Sequence, residues 1–188
     1  MKKAFFLDRD GVINVEIGYL HEPGKTELLP GVAEAVKMIH DAGYMAIAVS
    51  NQAGVAKGYY PESCVHEVHA RIQNILLDSC GREALIDAWY YCVHHPEHGS
   101  KVRCDCRKPA PGMLLKAAEA FDIDLAGSFM IGDRITDLEA GRNAGCAGCC
   151  LVTTGVGKEH LAAALAAGFK SAATLPAAVA ALLTPELH

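Results

Sequence analysis

Two carboxylates, Asp8 and Asp10, stand two positions apart at the end of the apolar run Phe5-Phe6-Leu7 and are followed by Gly11. A short apolar run closed by a turn signal reads as a buried strand. Residues i and i+2 of an extended chain project to the same side, so this spacing brings both carboxyl groups together at a strand end. Like charges so placed repel unless a cation or a shared proton resolves them. The arrangement suits a site that holds Mg²⁺ and attacks a phosphate. An ordinary Asp-Gly turn would give the same dipeptide, so the remaining chain has to decide between the two.

Three more segments supply what the carboxylates lack. Ser50 offers a hydroxyl and, with Asn51, backbone N–H groups for phosphate oxygens. Lys108, set between Arg107 and Pro109, offers a fixed cation. The run Gly132-Asp133-Arg134-Ile135-Thr136-Asp137 adds carboxylates after another apolar stretch. Phosphoryl transfer asks mainly for positioning and charge neutralisation. A carboxylate attacks phosphorus while Mg²⁺ and a lysine balance the phosphoryl oxygens. Taken singly, Ser50 reads as a turn hydroxyl, Lys108 as a solvated loop charge and Asp133 as a helix N-cap. Asp137 reads as a structural group that ties neighbouring loops. Together they read as one phosphate site.

A second cluster lies between these segments. Cys92-Val93-His94 and Cys104-Asp105-Cys106, nine residues apart, bring three thiols and an imidazole together. Three thiolates and one imidazole are a tetrahedral Zn²⁺ set, and four protein ligands leave no open position for chemistry. The expectation is a structural zinc loop at about 92–106 that runs directly into Arg107 and Lys108 and sets where they point. His95 and His98 remain competing ligands. Cys64, Cys80, Cys146, Cys149 and Cys150 show no ligand spacing and are expected to be buried thiols.

The elements that must position these groups alternate in type. Apolar runs at Ala4–Leu7, Tyr44–Val49, Ala88–Cys92, Ser128–Ile131 and Cys149–Val152 read as strands. Helical patterns at Gly31–Ala42, Pro61–Ser79, Pro111–Phe121 and Asp137–Ala144 separate them. The Ala/Leu-rich tail from Lys158 reads as mostly helical, with a short strand near Ser171–Ala173. Such alternation predicts an α/β, doubly wound, mainly parallel sheet with helices on both faces. In that architecture ligands sit beyond the carboxyl ends of the strands. Asp8 and Asp10, Ser50 and Asn51, Cys92 and His94, and Gly132 and Asp133 all end strands and fall on that edge.

The bulk numbers agree with one soluble domain over 1–188. A chain of 188 residues that is 51% hydrophobic and 21% charged can bury a core. A net charge of −5 without a basic block argues against nucleic acid. No apolar stretch approaches the roughly 20 residues that span a bilayer, so no membrane is expected. Met1-Lys2-Lys3 precedes only a short apolar run, and the protein is expected to be cytoplasmic. The alanine-rich tail is expected to pack on its own sheet, as in a monomer.

The ordered set Asp8-x-Asp10-Gly11-Val12, Ser50, Lys108 and Gly132-Asp133-x-x-x-Asp137 resembles the four motifs of the haloacid dehalogenase (HAD) superfamily, over roughly Ala4 to Val152. The resemblance implies a HAD-like, Rossmannoid fold with a minimal cap. It implies Asp8 as the nucleophile that forms an aspartyl-phosphate and Asp10 as the acid that protonates the leaving group and then activates water. Mg²⁺ would be held by Asp8, the backbone carbonyl of Asp10, and Asp133. Val12 stands where many relatives have Thr, Ser50 where Thr is common, and Arg134 where Lys is common.

Within the superfamily, zinc-loop phosphatases act on a heptose bisphosphate or on histidinol phosphate. The stretches Gly18–Glu22, Ser50–Gly58, Tyr90–Pro96 and Cys104–Met113 resemble the heptose bisphosphate branch, and the first and third favour it. That resemblance implies a phosphosugar substrate of lipopolysaccharide-precursor synthesis, touched by Glu16, Gly18, Tyr19, Ser50, Asn51 and Gln52. Arg107 can clamp a second phosphate bidentately, and Arg134 offers a further cation. Glu16 and Glu22 keep open a cationic substrate such as histidinol phosphate.

Overall fold

The structure is a computed structural model in which residues 1–99 and 104–184 are described. Six parallel strands form one sheet: β1 (Ala4–Leu7), β2 (Met45–Asn51), β3 (Ala88–Cys92), β4 (Phe129–Gly132), β5 (Gly148–Val152) and β6 (Lys170–Ala172). Their order is β3-β2-β1-β4-β5-β6. The chain therefore runs outward in one direction from β1, then returns and runs outward the other way from β4. The switch point lies between β1 and β4, where Phe5 pairs with Phe129 and Leu7 with Ile131. Ligands of open α/β sheets bind beyond the strand ends at this point.

Seven α-helices are described: α1 (Val32–Asp41), α2 (Ala53–Ala56), α3 (Ser63–Cys80), α4 (Gly112–Phe121), α5 (Ile135–Ala144), α6 (Gly157–Ala166) and α7 (Leu175–Leu183). Strand side chains alternate between faces, and this builds two cores. Phe5 and Leu7 pack with Val36 and Ile39 of α1, Val68 and Ile72 of α3, and Val179 of α7. Ala4 and Phe6 pack with Leu114 of α4, Leu138 of α5 and Ala164 of α6. β1 is buried on both faces, which explains why it reads as a continuous apolar run rather than an alternating one.

The strand expectations hold to within one or two residues. α2 is new; one turn is too short to show helical periodicity. α5 starts two residues earlier than the sequence suggests, because Asp137 accepts a hydrogen bond from the backbone N–H of Arg134 and caps the helix from inside its first turn. Cys149 and Cys150 are buried as expected. Cys64, Cys80 and Cys146 are only partly so. No helix among the described residues is long and apolar enough to cross a membrane.

Candidate active site

β1 ends at Leu7, and the chain leaves the sheet with Asp8 held by a backbone bond from its N–H to the Ile131 carbonyl of β4 at 2.9 Å. Gly11, at φ +81°, then turns the chain back. A side chain at this position would collide with the Asp133 carboxylate, so glycine lets the two loops close on each other. Asp8, Asp133 and Asp137 are all buried, and each offers a carboxylate oxygen within 4.8 Å of the others.

Lys108 enters this acidic cluster from the segment after the cysteine loop. Its Nζ lies 2.7 Å from Asp8 Oδ1 and 2.8 Å from Asp137 Oδ1, and it donates to the Val49 carbonyl at 2.7 Å. Burial alone would lower its pKa, but the Asp137 and Asp8 carboxylates outweigh that and hold the ammonium above the usual lysine range. Asn51 fixes the peptide of Lys108 twice: its Nδ2 donates to the Lys108 carbonyl and its Oδ1 accepts the Lys108 N–H, each at 3.1 Å. Asn51, expected on the substrate, spends its side chain on the lysine.

One lysine does not balance three buried carboxylates. Burial, with the Asp137 and Asp133 carboxylates near it, pushes the Asp8 carboxyl up to about 8 against the pull of Lys108. Burial likewise pushes Asp133 up to about 6. One oxygen of Asp133 accepts from the Val156 N–H at 3.0 Å, while its Oδ1 is buried without a hydrogen-bond partner. Unpaired buried carboxylate oxygens are costly. An all-oxygen, acidic donor set of this kind fits a hard divalent cation.

Asp10 points away from this cluster into a cradle of donors. Asn14 Nδ2 reaches its Oδ1 at 2.9 Å and Gln52 Nε2 its Oδ2 at 3.1 Å, while the Arg9 guanidinium lies beside both oxygens. Gln52 also donates to Ser50 Oγ at 2.6 Å, and it accepts from the Tyr60 hydroxyl at 3.2 Å.

Above the carboxylates opens a cleft of about 480 Å³. Asp8, Asp10, Glu16, Gly18, Tyr19, Ser50, Asn51, Gln52, Arg107, Lys108 and Arg134 all line it, so eleven residues drawn from four segments converge. Asp133 lies beneath the surface, fully buried. Glu16 accepts from the Gly18 N–H at 2.7 Å and sits 3.5 Å from Arg134 Nη2. Burial and nearby Asp10 raise its pKa above the ordinary glutamate value. Sequence reasoning missed Tyr60 and Thr136, which also line the cleft, and Lys57, whose Nζ donates to the Tyr19 hydroxyl at 2.6 Å. Asp137, read as a loop tie, proves to be the second carboxylate on Lys108.

The cysteine segments close into one cluster. Cys106 Sγ lies 3.0 Å from Cys92 Sγ, Cys104 Sγ 3.6 Å from Cys92 Sγ, and His94 Nδ1 3.4 Å from Cys106 Sγ. These four form a potential metal site, and His95 and His98 face each other outside it, ring centroids 4.7 Å apart. Three sulfurs and one imidazole nitrogen at these separations suit a soft, tetrahedral cation. Arg107 Nη1 donates to the His94 carbonyl at 3.2 Å, tying the guanidinium to the loop. Residues 100–103 of the expected loop lie outside the described residues.

A HAD-hydrolase-like family model matches residues 105–181. The chain is 46% identical over 168 residues to the D-glycero-D-manno-heptose-1,7-bisphosphate 7-phosphatase of Thermosynechococcus vestitus, covering 85% of this chain and 83% of that protein. It is 41% identical over 157 residues to the D-glycero-beta-D-manno-heptose-1,7-bisphosphate 7-phosphatase of Pasteurella multocida, covering 82% and 84%. A solved D,D-heptose 1,7-bisphosphate phosphatase from B. bronchiseptica, complexed with magnesium and phosphate, superimposes with a TM-score of 0.84 at 34% identity, covering 96% of this chain and 98% of that one. With its four motifs joined at the switch point of a parallel sheet, the chain is a phosphatase that belongs to the heptose-1,7-bisphosphate 7-phosphatase family of HAD-like hydrolases.

Proposed function

We propose that this chain removes the 7-phosphate of D-glycero-D-manno-heptose 1,7-bisphosphate through an aspartyl-phosphate on Asp8, in the supply of nucleotide-heptose for lipopolysaccharide core. The observation that carries the reading is the Asp8 carboxylate itself. It sits at the switch point, lines the cleft, and holds one oxygen 2.7 Å from the Lys108 ammonium. Mg²⁺ would be held by Asp8, the backbone carbonyl of Asp10, and Asp133, whose buried Oδ1 has no hydrogen-bond partner and lies 3.8 Å from Arg134 Nε. When bound, it would offset charge on the phosphoryl oxygens and keep Asp8 ionised.

The chain's own groups account for the other steps. Lys108 draws charge from the phosphoryl group, and Ser50 with the adjacent backbone N–H groups receives its oxygens. Asp8 attacks phosphorus as the bond to the sugar oxygen breaks. Asp10 protonates that oxygen, then takes a proton from the water that cleaves the aspartyl-phosphate. Glu16, Gly18, Tyr19 and Gln52 border the sugar. Arg107 and Arg134, on the rim, meet the second phosphate, for which a guanidinium fork is suited.

Zn²⁺ would be held by Cys92, His94, Cys104 and Cys106 and would fix the loop that carries Arg107. Glu22 is not among the residues that line the cleft and pairs with Lys25 at 2.7 Å, while Glu16 in the cleft stands beside the cationic Arg134. That weakens the case for a cationic substrate. Leu175, Ala178, Val179 and Leu182 of the alanine-rich α7 pack into the core of its own sheet, which supports a monomer; the chain is taken to act in the cytoplasm on a small phosphosugar.

The test is phosphate release in Mg²⁺ from both heptose 1,7-bisphosphate anomers and from histidinol phosphate. A preference of at least about tenfold in kcat/KM for a heptose anomer supports the reading. Preference for histidinol phosphate overturns the substrate while keeping the chemistry.

A further inference from the structure

Arg9, between the two aspartates, is fully buried. Its guanidinium lies side-on to Asp10, with Nη2 2.9 Å from Oδ2 and 3.0 Å from Oδ1, and Nε 3.1 and 3.2 Å from the same atoms. Arg9 and Asp10 lie past the end of β1, where strand alternation no longer separates neighbouring side chains. Nη2 also donates to Gln52 Oε1 at 3.2 Å, and Gln52 donates in turn to Asp10. Asn14 supplies the remaining bond to Asp10. Both carboxylate oxygens are thus fixed from behind by three side chains, and Arg9 is the one cation among them.

The far side of Arg9 carries no competing anion among the described ion pairs. Its Nη1 is buried without a partner, and so is Nε2 of His69 on α3, whose ring stacks on Trp89 at 4.2 Å. Asp10 is therefore the only carboxylate paired with Arg9 among the described ion pairs, while Nη2 also reaches Gln52 Oε1 and the Leu20 carbonyl.

We propose that Arg9 is the positioning residue of Asp10: its side-on guanidinium holds the carboxylate at the angle from which it exchanges a proton with the sugar oxygen. This rests on the assignment of Asp10 as acid and base. In the first half-reaction the bond from Asp8 to phosphorus forms, the bond from phosphorus to the sugar oxygen breaks, and the Asp10 proton passes to that oxygen. A primary alkoxide needs the proton to leave, whereas 4-nitrophenolate leaves without it. The value of kcat/KM reports this half-reaction.

The experiment compares kcat/KM on heptose bisphosphate and on 4-nitrophenyl phosphate for Arg9→Met, Arg9→Lys and Asp10→Asn. Arg9→Met is expected to lose about a hundredfold on the alkyl phosphate and far less on the aryl one, with Arg9→Lys restoring part of the difference. Equal losses on both substrates, or none, overturn the proposal. If Arg9→Met does not fold, Asn14→Ala removes one cradle donor and is expected to show the same selective loss on a smaller scale; an unselective loss there overturns it too. Asp10→Asn separates the two claims. Without alkyl selectivity in that variant, the acid–base assignment itself fails. With selectivity there and none at Arg9, only the positioning role fails.

Discussion

The Lys108 ammonium lies 2.8 Å from Asp137 Oδ1, and both side chains are 1% exposed. Asp8 stays on Lys108 when Asp137 is lost, so the cost comes from one lost bond to the ammonium and from the cap that Asp137 makes with the Arg134 N–H. Asp137→Ala is expected to destabilise the fold by about 2 kcal/mol. With Lys108 then drawn to Asp8 alone, kcat should fall by about a hundredfold. Urea denaturation and phosphate release measure the two effects; an unchanged kcat would return Asp137 to a purely structural role.

Removing the soft metal should act through Arg107. A thiol-selective chelator, followed by restored Mg²⁺, is expected to release one zinc per chain and lower the melting temperature. KM should rise more than kcat falls, because the Arg107 guanidinium is tethered to the His94 carbonyl. Cys104→Ser should reproduce this. Metal analysis that finds no zinc in freshly purified protein would refute the loop's assignment.

His69 makes stability pH-dependent. Burial, with Arg9 and His66 nearby, lowers its pKa to about 3. The unfolded chain takes up this proton below the ordinary histidine value while the folded chain does not. The contribution is therefore fully present above about pH 6.5 and is lost as the pH falls from there toward 3, at about 1.4 kcal/mol per pH unit. Denaturation midpoints at pH 7 and pH 5 should differ more in the wild type than in His69→Phe. Equal differences would show that other groups carry the acid sensitivity.

Gly11→Ala is expected to abolish activity and to cost more than the roughly 1 kcal/mol of an ordinary positive-φ substitution. The added carbon meets the Asp133 carboxylate and approaches the Gly155 Cα to 3.1 Å, with φ at +81°. Thermal unfolding and phosphate release report both effects, and wild-type turnover would mean the two loops need not close.

Much of this site was legible because strand ends are legible. Asp8, Ser50 and Asp133 each follow an apolar run, and parallel strands bring such ends to one edge. The cysteine–histidine cluster was legible because sulfur and imidazole ligands come in close spacings. What stayed hidden depends on contacts between distant loops. Asp137 meets Lys108 across 29 residues, and Asn51 holds the Lys108 peptide across 57. Arg9 sits inside the motif, but nothing in one dimension shows that it is buried. Lys57 and Tyr60 follow a one-turn helix that gives no periodic signal.

Phosphorus NMR of the reaction with heptose 1,7-bisphosphate tests the central claim most directly, run with the wild type and with Asp8→Asn. Loss of the C7 phosphomonoester signal with retention of the anomeric phosphate, and no turnover by Asp8→Asn, is the predicted result. Release of the anomeric phosphate, or wild-type turnover by Asp8→Asn, would contradict the account.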